Sequence, residues 1–270
     1  MKKPITLIKI GGSLITDKNK PFTIRNRALD IIADEVKAAL KTGKSLVVGH
    51  GAGSFAHVPA KKYQTHQGVI DDRSYRGIAE VADVAAQLNR IVIKKLLEKG
   101  VNAVSASPLS SMVAKGQKLK KIFTAPIEQL LEKNLLPVVY GDVILDQEQG
   151  CTIFSTEKVL GYLGLALKEK GYKVERIIQC GQTNGVYDAE GKTIPEINSD
   201  NYKHYRQSLG ESGGVDVTGG MIHKVEQTLD LAKKGIPGLI IDGIVHGTLS
   251  EAIEGKDVLG TKIVAANSEA

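Results

Sequence analysis

Short apolar runs alternate with longer amphipathic segments along most of this 270-residue chain. The short runs are rich in Val, Ile and Leu and stop at Gly, Asp or polar residues, which predicts buried strands. Alternation of such runs with helical segments is typical of a mostly parallel sheet joined by crossover helices. The predicted strands of this sheet are residues 6–10, 45–48, 101–105, 136–140, 174–179 and 238–242.

The longer segments carry apolar residues at helical spacing. Residues 25–41 place Leu29, Ile32 and Val36 on one face, and Gly43 follows as a stop signal. Further helices are predicted over 74–99, from near 125, over 155–170 with Ser155 as N-cap, and over 221–234.

Residues 143–145 and 151–154 flank a polar turn and predict a β-hairpin. The chain contains no repeat, low-complexity tract or flexible linker. We therefore expect an α/β fold, an αβα sandwich whose two halves, residues 1–172 and 173–270, share one sheet.

Composition is that of an ordinary globular protein, with 42% hydrophobic and 24% charged residues and a formal net charge of +6. Only 4% of residues are aromatic and the basic residues are scattered among acids, so a nucleic-acid partner is not expected. A modest positive field suits small anionic substrates.

No membrane span or signal peptide is expected, because no apolar run approaches ~18 residues and the N-terminus lacks a cleavage pattern. The two cysteines, Cys151 and Cys180, lack metal-type spacing and are expected to be buried thiols in a cytoplasmic protein.

A glycine-rich stretch from His50 to His57 follows the second predicted strand. Its glycines allow a sharp turn and bring bare backbone N–H groups close to an anion, while a histidine stands at each end. The stretch taken alone is equally compatible with a phosphate cradle and with a tight turn between two surface histidines.

Lys9 lies near the end of the first strand, just before Gly11 and Gly12, where α/β folds bind ligands. An edge-strand lysine reaching into solvent is the alternative. Lys18, farther along the same loop, is either a second cation for the ligand or a solvated loop residue.

Two later segments could contact a nucleotide. Residues 183–188 form a loop after a strand, although Asn184-Gly185 is equally the sequence of a simple tight turn. Residues 216–221 precede a helix that carries Lys224 in its first turn, which either suits a terminal phosphate or is only a glycine-rich helix start. The chain has neither a P-loop nor a dinucleotide-binding fingerprint.

The six histidines show no zinc-like clustering, so no protein-bound metal site is expected. Any metal ion would be Mg²⁺ delivered with a nucleotide and held by phosphates and water.

Taken in order, these segments resemble the amino acid kinase superfamily and, within it, the isopentenyl phosphate kinase family. The resemblance covers nearly the whole chain. Its matching segments are residues 9–13, 50–57, 58–63, 140–143, 183–188 and 216–224.

The resemblance implies an αβα sandwich that forms a homodimer, with the acceptor in residues 1–172 and ATP in residues 173–270. It implies that Lys9, Lys18 and His57 act in catalysis. The implied acceptor-phosphate residues are Ala52, Gly53, Ser54, His57 and Thr156. The implied nucleotide-binding residues are Lys9, Gly11, Gly12, Ser13, Asn184, Tyr187, Asp188, Thr218, Gly219, Gly220 and Lys224.

The implied activity is ATP-dependent phosphorylation of isopentenyl phosphate to isopentenyl diphosphate, with Mg²⁺. The alternatives are a sibling kinase for another small phosphate or phosphonate, as in the fosfomycin kinases, and a non-catalytic nucleotide-binding storage or sensor protein. Two departures from the family pattern stand out. Ala56 replaces a glycine, and Thr156-Glu157 replaces Gly-Asp, which leaves Glu157 as the candidate for orienting the lysines.

Overall fold

An eight-stranded sheet forms the centre of the fold in the computed structural model. The structure describes residues 2–211 and 220–266, and for residues 207–211 it describes the backbone alone. Six neighbouring strands are parallel, in the order β11-β9-β1-β2-β6-β3, while β12 runs antiparallel to β11 and β10 pairs parallel with β12. These strands are β1 (Ile5–Ile10), β2 (Ser45–His50), β3 (Ala103–Ser105), β6 (Leu136–Tyr140), β9 (Val174–Gly181), β10 (Glu196–Ile197), β11 (Gly238–Asp242) and β12 (Thr261–Ile263).

Helices cover both faces of this sheet, because alternate strand residues project to opposite sides. The described helices are α1 (Gly12–Ile15), α2 (Asn26–Lys41), α3 (Gly53–Tyr63), α4 (Arg73–Glu98), α5 (Pro108–Ser111), α6 (Ala125–Glu132), α7 (Thr156–Glu169), α8 (Tyr202–Glu211), α9 (Gly220–Lys233) and α10 (Thr248–Glu254). On β1, Ile8 and Ile10 join a core with α2, α4 and α10, whereas Leu7 joins a second core with α6, α7 and α9. The expected αβα sandwich is confirmed.

A smaller sheet of four strands, in the order β5-β4-β7-β8, lies within the first half of the chain. Its hairpin β7 (Asp142–Asp146) and β8 (Gly150–Phe154) forms where the sequence predicted one. The other hairpin, β4 (Met112–Lys115) and β5 (Lys118–Ile122), was not predicted, because three lysines in β5 mask the strand pattern.

The parallel strands bring their carboxyl ends to one edge of the main sheet, which is where open α/β sheets bind ligands. In register, Ile10 at the end of β1 pairs with His50 on β2 and with Cys180 on β9. His50 in turn pairs with Tyr140 on β6. The turns that follow these strands therefore meet at the same edge.

The glycine-rich stretch is more ordered than a turn, because helix α3 begins at Gly53 and contains His57 in its second turn. Elements β10, β12, α8 and α10 lie where the sequence predicted no helix or strand. Both cysteines are buried thiols. Among the described residues, no helix combines the length and the apolar character that crossing a bilayer requires.

Candidate active site

Two glycine turns, one after β1 and one after β2, lie in direct backbone contact. A Cβ atom added to Gly12 would stand 2.5 Å from the Gly53 nitrogen, and one added to Gly51 would stand 2.7 Å from the Gly12 nitrogen. Any side chain at either position would therefore force the two turns apart. We call residues 11–13 the β1 turn and residues 51–54 the β2 turn.

Thr16 ties the two turns together by hydrogen bonds. Its hydroxyl donates to the Gly12 carbonyl over 2.7 Å and accepts the Ser54 amide over 3.0 Å. The Gly51 amide donates to the Ile10 carbonyl over 2.9 Å, which fixes the start of the β2 turn against β1. Sequence reasoning gave Thr16 no role, because a single loop threonine carries no distinguishing pattern.

Four backbone amides on these turns find no acceptor among the described residues: Gly12, Ser13, Ala52 and Gly53. Unpaired N–H groups on neighbouring turns can form an anion-binding concavity. The expected donors Gly11 and Ser54 differ from this group, because the Gly11 amide donates to the Cys180 carbonyl and the Ser54 amide donates to Thr16. The buried Ser54 hydroxyl has no partner within the part of the chain described.

Lys9 on β1 forms a buried ion pair with Glu157 on α7, with 2.7 Å between Nζ and Oε1. Burial raises the pKa of Glu157, but the charge and hydrogen bond of Lys9 and the charge of Lys224 outweigh it and leave the pKa below its ordinary value. Glu157 is therefore an anion that pairs with Lys9 and whose pKa is lowered further by the charge of Lys224, from the second half of the chain.

Thr156, the first residue of α7, is buried and donates its hydroxyl to the His50 carbonyl over 2.7 Å. The hydroxyl is thus committed to the backbone of β2, so any contact with a phosphate falls to the Thr156 amide at the helix N-terminus. Ser155 caps α7 as predicted, accepting the Lys158 amide over 3.3 Å.

Lys18 and His57 stand apart from this buried centre. Both are exposed, and neither side chain forms a hydrogen bond or ion pair with any residue that the structure describes. Their accessibility leaves both side chains able to reach a bound ligand, and their predicted roles remain predictions.

The loop after β9 is shaped by its own hydrogen bonds. The Asp188 carboxylate accepts the amides of Glu190 and Lys192, each over 2.9 Å, and the Asn184 amide donates to the Tyr187 hydroxyl over 3.3 Å. The Asn184 bond lies where the backbone bends at Asn-Gly, whereas the Asp188 bonds close the next turn along the chain. Contact of Asn184, Tyr187 and Asp188 with a nucleotide remains a prediction.

The segment leading into α9 is only partly described. Gly220 and Lys224 lie in the first turns of α9, and Lys224 is half-buried. Thr218 and Gly219 lie outside the described residues.

Asp142 is a buried carboxyl that sequence reasoning left without a role, although it lies in one of the recognised segments. Burial raises its pKa to about 7, against the opposing hydrogen bonds from the Val143 and Leu109 amides. The described residues contain no group of three or more His, Cys, Asp and Glu side chains placed to hold a metal ion.

Comparison with known proteins assigns this architecture to a class. The chain belongs to the amino acid kinase family, whose model matches residues 4–242. It is 34% identical over 272 residues to the isopentenyl phosphate kinase of Methanocaldococcus jannaschii, covering 96% of this chain and 98% of that protein. It is 32% identical over 268 residues to the isopentenyl phosphate kinase of Methanothermobacter thermautotrophicus, covering 95% of this chain and 98% of that protein.

A crystal structure of an isopentenyl phosphate kinase superposes with a TM-score of 0.79 at 28% identity, covering 96% of this chain and 100% of the other. Within the amino acid kinase family, the chain belongs to the isopentenyl phosphate kinases.

Proposed function

We propose that this protein transfers the γ-phosphoryl group of ATP to isopentenyl phosphate, giving isopentenyl diphosphate and ADP. The observation that carries the proposal is the contact between the two glycine turns, whose unpaired amides at Gly12, Ser13, Ala52 and Gly53 can hold two phosphate groups side by side. Its relatives named isopentenyl phosphate kinase supply the identity of the acceptor.

The β2 turn holds the acceptor phosphate in this proposal. The amides of Ala52 and Gly53 donate to it, and the helix N-terminus at Thr156 adds a favourable dipole. His57, exposed in the second turn of α3, supplies a further hydrogen bond.

The β1 turn and the second half of the chain hold ATP. The amides of Gly12 and Ser13 donate to its phosphates, the loop containing Asn184, Tyr187 and Asp188 borders its base and ribose, and Lys224 contacts a terminal phosphate. Thr218, Gly219 and Gly220 complete this side. Mg²⁺ would come with the nucleotide, where phosphate oxygens and water would hold it, and it would help to neutralise the phosphate charge.

The chemistry requires alignment and charge neutralisation more than proton transfer. An oxygen of the acceptor phosphate, already anionic, forms a bond to the γ-phosphorus while the bond from that phosphorus to the ADP oxygen breaks. Lys9 neutralises the charge of the transferring group, and Lys18 acts on the same phosphates from its exposed loop. His57 stabilises the acceptor phosphate by donating a hydrogen bond, and no general base is needed.

A coupled ADP-release assay tests the proposal with purified protein, ATP, Mg²⁺ and three separate acceptors: isopentenyl phosphate, dimethylallyl phosphate and fosfomycin. We expect the highest kcat/KM with isopentenyl phosphate and only background ADP release without an acceptor. Highest efficiency on fosfomycin would establish the sibling kinase instead. ATP binding without transfer to any acceptor would establish a non-catalytic protein.

Replacing His57 tests the acceptor side separately. His57→Ala should lower kcat/KM for isopentenyl phosphate on the order of 10²-fold, because one hydrogen-bond donor to the transition state is lost. His66→Ala is the matched control, since His66 is also exposed and lies just after α3. It should change kcat/KM less than about twofold. Equal effects of the two variants would remove His57 from the mechanism.

The proposed assembly is a homodimer. Light scattering on the purified protein should give about twice the 28.9 kDa mass of the chain. A mass of one chain at working concentration would contradict it.

A further inference from the structure

A buried pair of side chains behind the β2 turn has no part in the mechanism above. His50, at the end of β2, is fully buried, and its Nε2 lies 3.1 Å from Nδ2 of Asn89, a buried residue of α4. Its Nδ1 lies 3.2 Å from the Gly51 carbonyl oxygen. The ring also stacks on Tyr140, with 5.7 Å between ring centroids.

The partners of the ring select one protonation form. The Gly51 carbonyl can only accept, so Nδ1 must carry a proton. With the Asn89 amide nitrogen facing it, Nε2 must be the acceptor. In the opposite orientation the amide oxygen would face Nε2, and both ring nitrogens would then have to carry a proton. Burial disfavours such a charged ring, because no carboxylate is among these contacts. His50 is therefore a neutral imidazole protonated at Nδ1.

This bond fixes a peptide plane of the proposed acceptor site. The Gly51 carbonyl and the Ala52 N–H belong to one planar trans peptide and point in opposite directions. Holding the carbonyl through Nδ1 consequently sets the direction of the Ala52 N–H, which has no acceptor among the described residues. The His50 carbonyl is itself held by the Thr156 hydroxyl over 2.7 Å and the Gly141 amide over 3.1 Å.

We propose that Asn89 and His50 are positioning residues that aim the Ala52 amide at the acceptor phosphate. Asn89 acts by keeping the proton of His50 on Nδ1, and His50 acts by holding the Gly51 carbonyl. The proposal rests on the proposed function, because that function makes the β2 turn the acceptor site.

The first test replaces Asn89 with an apolar residue of similar size. Asn89→Leu should lower kcat/KM for isopentenyl phosphate about tenfold, mainly through a higher KM for the acceptor, while the KM for ATP changes less than about twofold. Val92→Ala is the matched control, because Val92 is buried in the same helix, joins the core and cannot form a hydrogen bond with His50. It should lower the melting temperature but leave both KM values unchanged.

The second test restores the lost donor. An asparagine amide can occupy the place of Nδ1, so His50→Asn holds the Gly51 carbonyl without help from Asn89. The double variant Asn89→Leu, His50→Asn should therefore have a KM for the acceptor close to that of the His50→Asn single variant. If Asn89→Leu loses no more acceptor affinity than Val92→Ala, or if the double variant is as impaired as Asn89→Leu, the proposal is wrong.

The third test needs no turnover and so separates this proposal from the proposed function. Nitrogen-15 NMR should show His50 protonated at Nδ1 and unprotonated at Nε2 in the wild type. The Asn89→Leu variant should show a different protonation pattern of the two ring nitrogens. Inorganic phosphate should shift the Ala52 amide resonance, with at least about fivefold weaker apparent affinity in Asn89→Leu. A ring protonated at Nε2, or equal phosphate affinities, would overturn the positioning role even if the kinase assay succeeds. The expected shifts with no kinase activity would refute the proposed function alone.

Discussion

At the scale of single residues, the candidate site contains a buried acid that pairs with one lysine and whose pKa is lowered by the charge of a second. Lys9 and Glu157 are in contact, and Lys224 adds a second positive charge near the same carboxylate. One negative charge between two positive charges leaves a net positive centre, which suits a transferring phosphoryl group. The ion pair with Lys9 is consistent with the predicted orienting role of Glu157, which stays a prediction.

Replacing Lys9 tests its proposed role in catalysis separately from its ion pair with Glu157. Lys9→Met should lower kcat on the order of 10²-fold or more, with the KM for ATP changed less than about threefold, because its charge acts mainly in the transition state. It should also lower the melting temperature, since Glu157 loses a buried partner. Steady-state kinetics and thermal unfolding measure the two effects.

The double variant Lys9→Met, Glu157→Gln provides the control. It should regain much of the melting temperature, because no carboxylate is left unpaired, but none of the lost turnover. Equal losses in kcat and in ATP affinity for Lys9→Met would contradict a role specific to the transition state.

At the scale of elements, helix α3 explains the alanine that departs from the family pattern. The chain turns away from β2 at Gly53, whose φ of +51° is one that favours glycine. Ala56 comes after that point, inside α3, and packs against the main core. A helix interior favours alanine over glycine, so Ala56 needs no special backbone freedom.

Ala56→Gly should lower the free energy of unfolding by about 0.5–1 kcal/mol, the usual cost of glycine in a helix, without raising kcat/KM. Urea unfolding and the coupled assay measure both quantities. Gly53→Ala is the informative counterpart, because its positive φ and its contact with Gly12 leave no room for a Cβ. It should lose both stability and activity. A gain in turnover for Ala56→Gly would show that the turn needs more freedom than α3 allows.

At the scale of the whole molecule, two buried groups give opposing pH dependences of stability. Burial lowers the pKa of His50 to about 4 and raises the pKa of Asp142 to about 7. Between about pH 4 and 6.5 the unfolded chain binds a proton at His50 that the folded protein lacks, and the folded protein binds one at Asp142 that the unfolded chain lacks. Acidification through this window lowers the free energy of unfolding through His50 and raises it through Asp142, so the two effects largely cancel.

Single variants should expose each contribution. Relative to wild type, Asp142→Asn should lose stability as the pH falls from 7 to 4, by at most about 1.4 kcal/mol per pH unit. His50→Asn should gain stability relative to wild type as the pH falls from 6.5 to 4. Urea unfolding from pH 4.5 to 8 measures both differences, and curves parallel to the wild type would contradict the assigned pKa values.

Most of the main sheet could be predicted from the sequence, because β1, β2, β6, β9 and β11 are short apolar runs bounded by glycine or polar residues. The hairpin β4–β5 could not, since its lysines hide the alternation. Helix α3 was hidden by its glycine and by Pro59, both of which ordinarily argue against a helix.

The site was only partly predictable for a similar reason. Glycine turns after strands are visible in the sequence, and they located residues 11–13 and 51–54 correctly at one edge of the sheet. Which amides remain unpaired is decided by Thr16 and Cys180, which come from other segments. The pairing of His50 with Asn89 depends on how α4 lies against the main sheet, and no local pattern encodes it.

The backbone contact between Gly12 and Gly53 has a consequence for redesigning the acceptor. With no side chain between the turns, the spacing of the two proposed phosphate sites is set by backbone contact, and any side chain introduced there would force the turns apart. A variant made to accept a longer or bulkier tail must therefore draw its changes from the surrounding helices. The spacing of the reacting phosphates would then be inherited unchanged by every such variant.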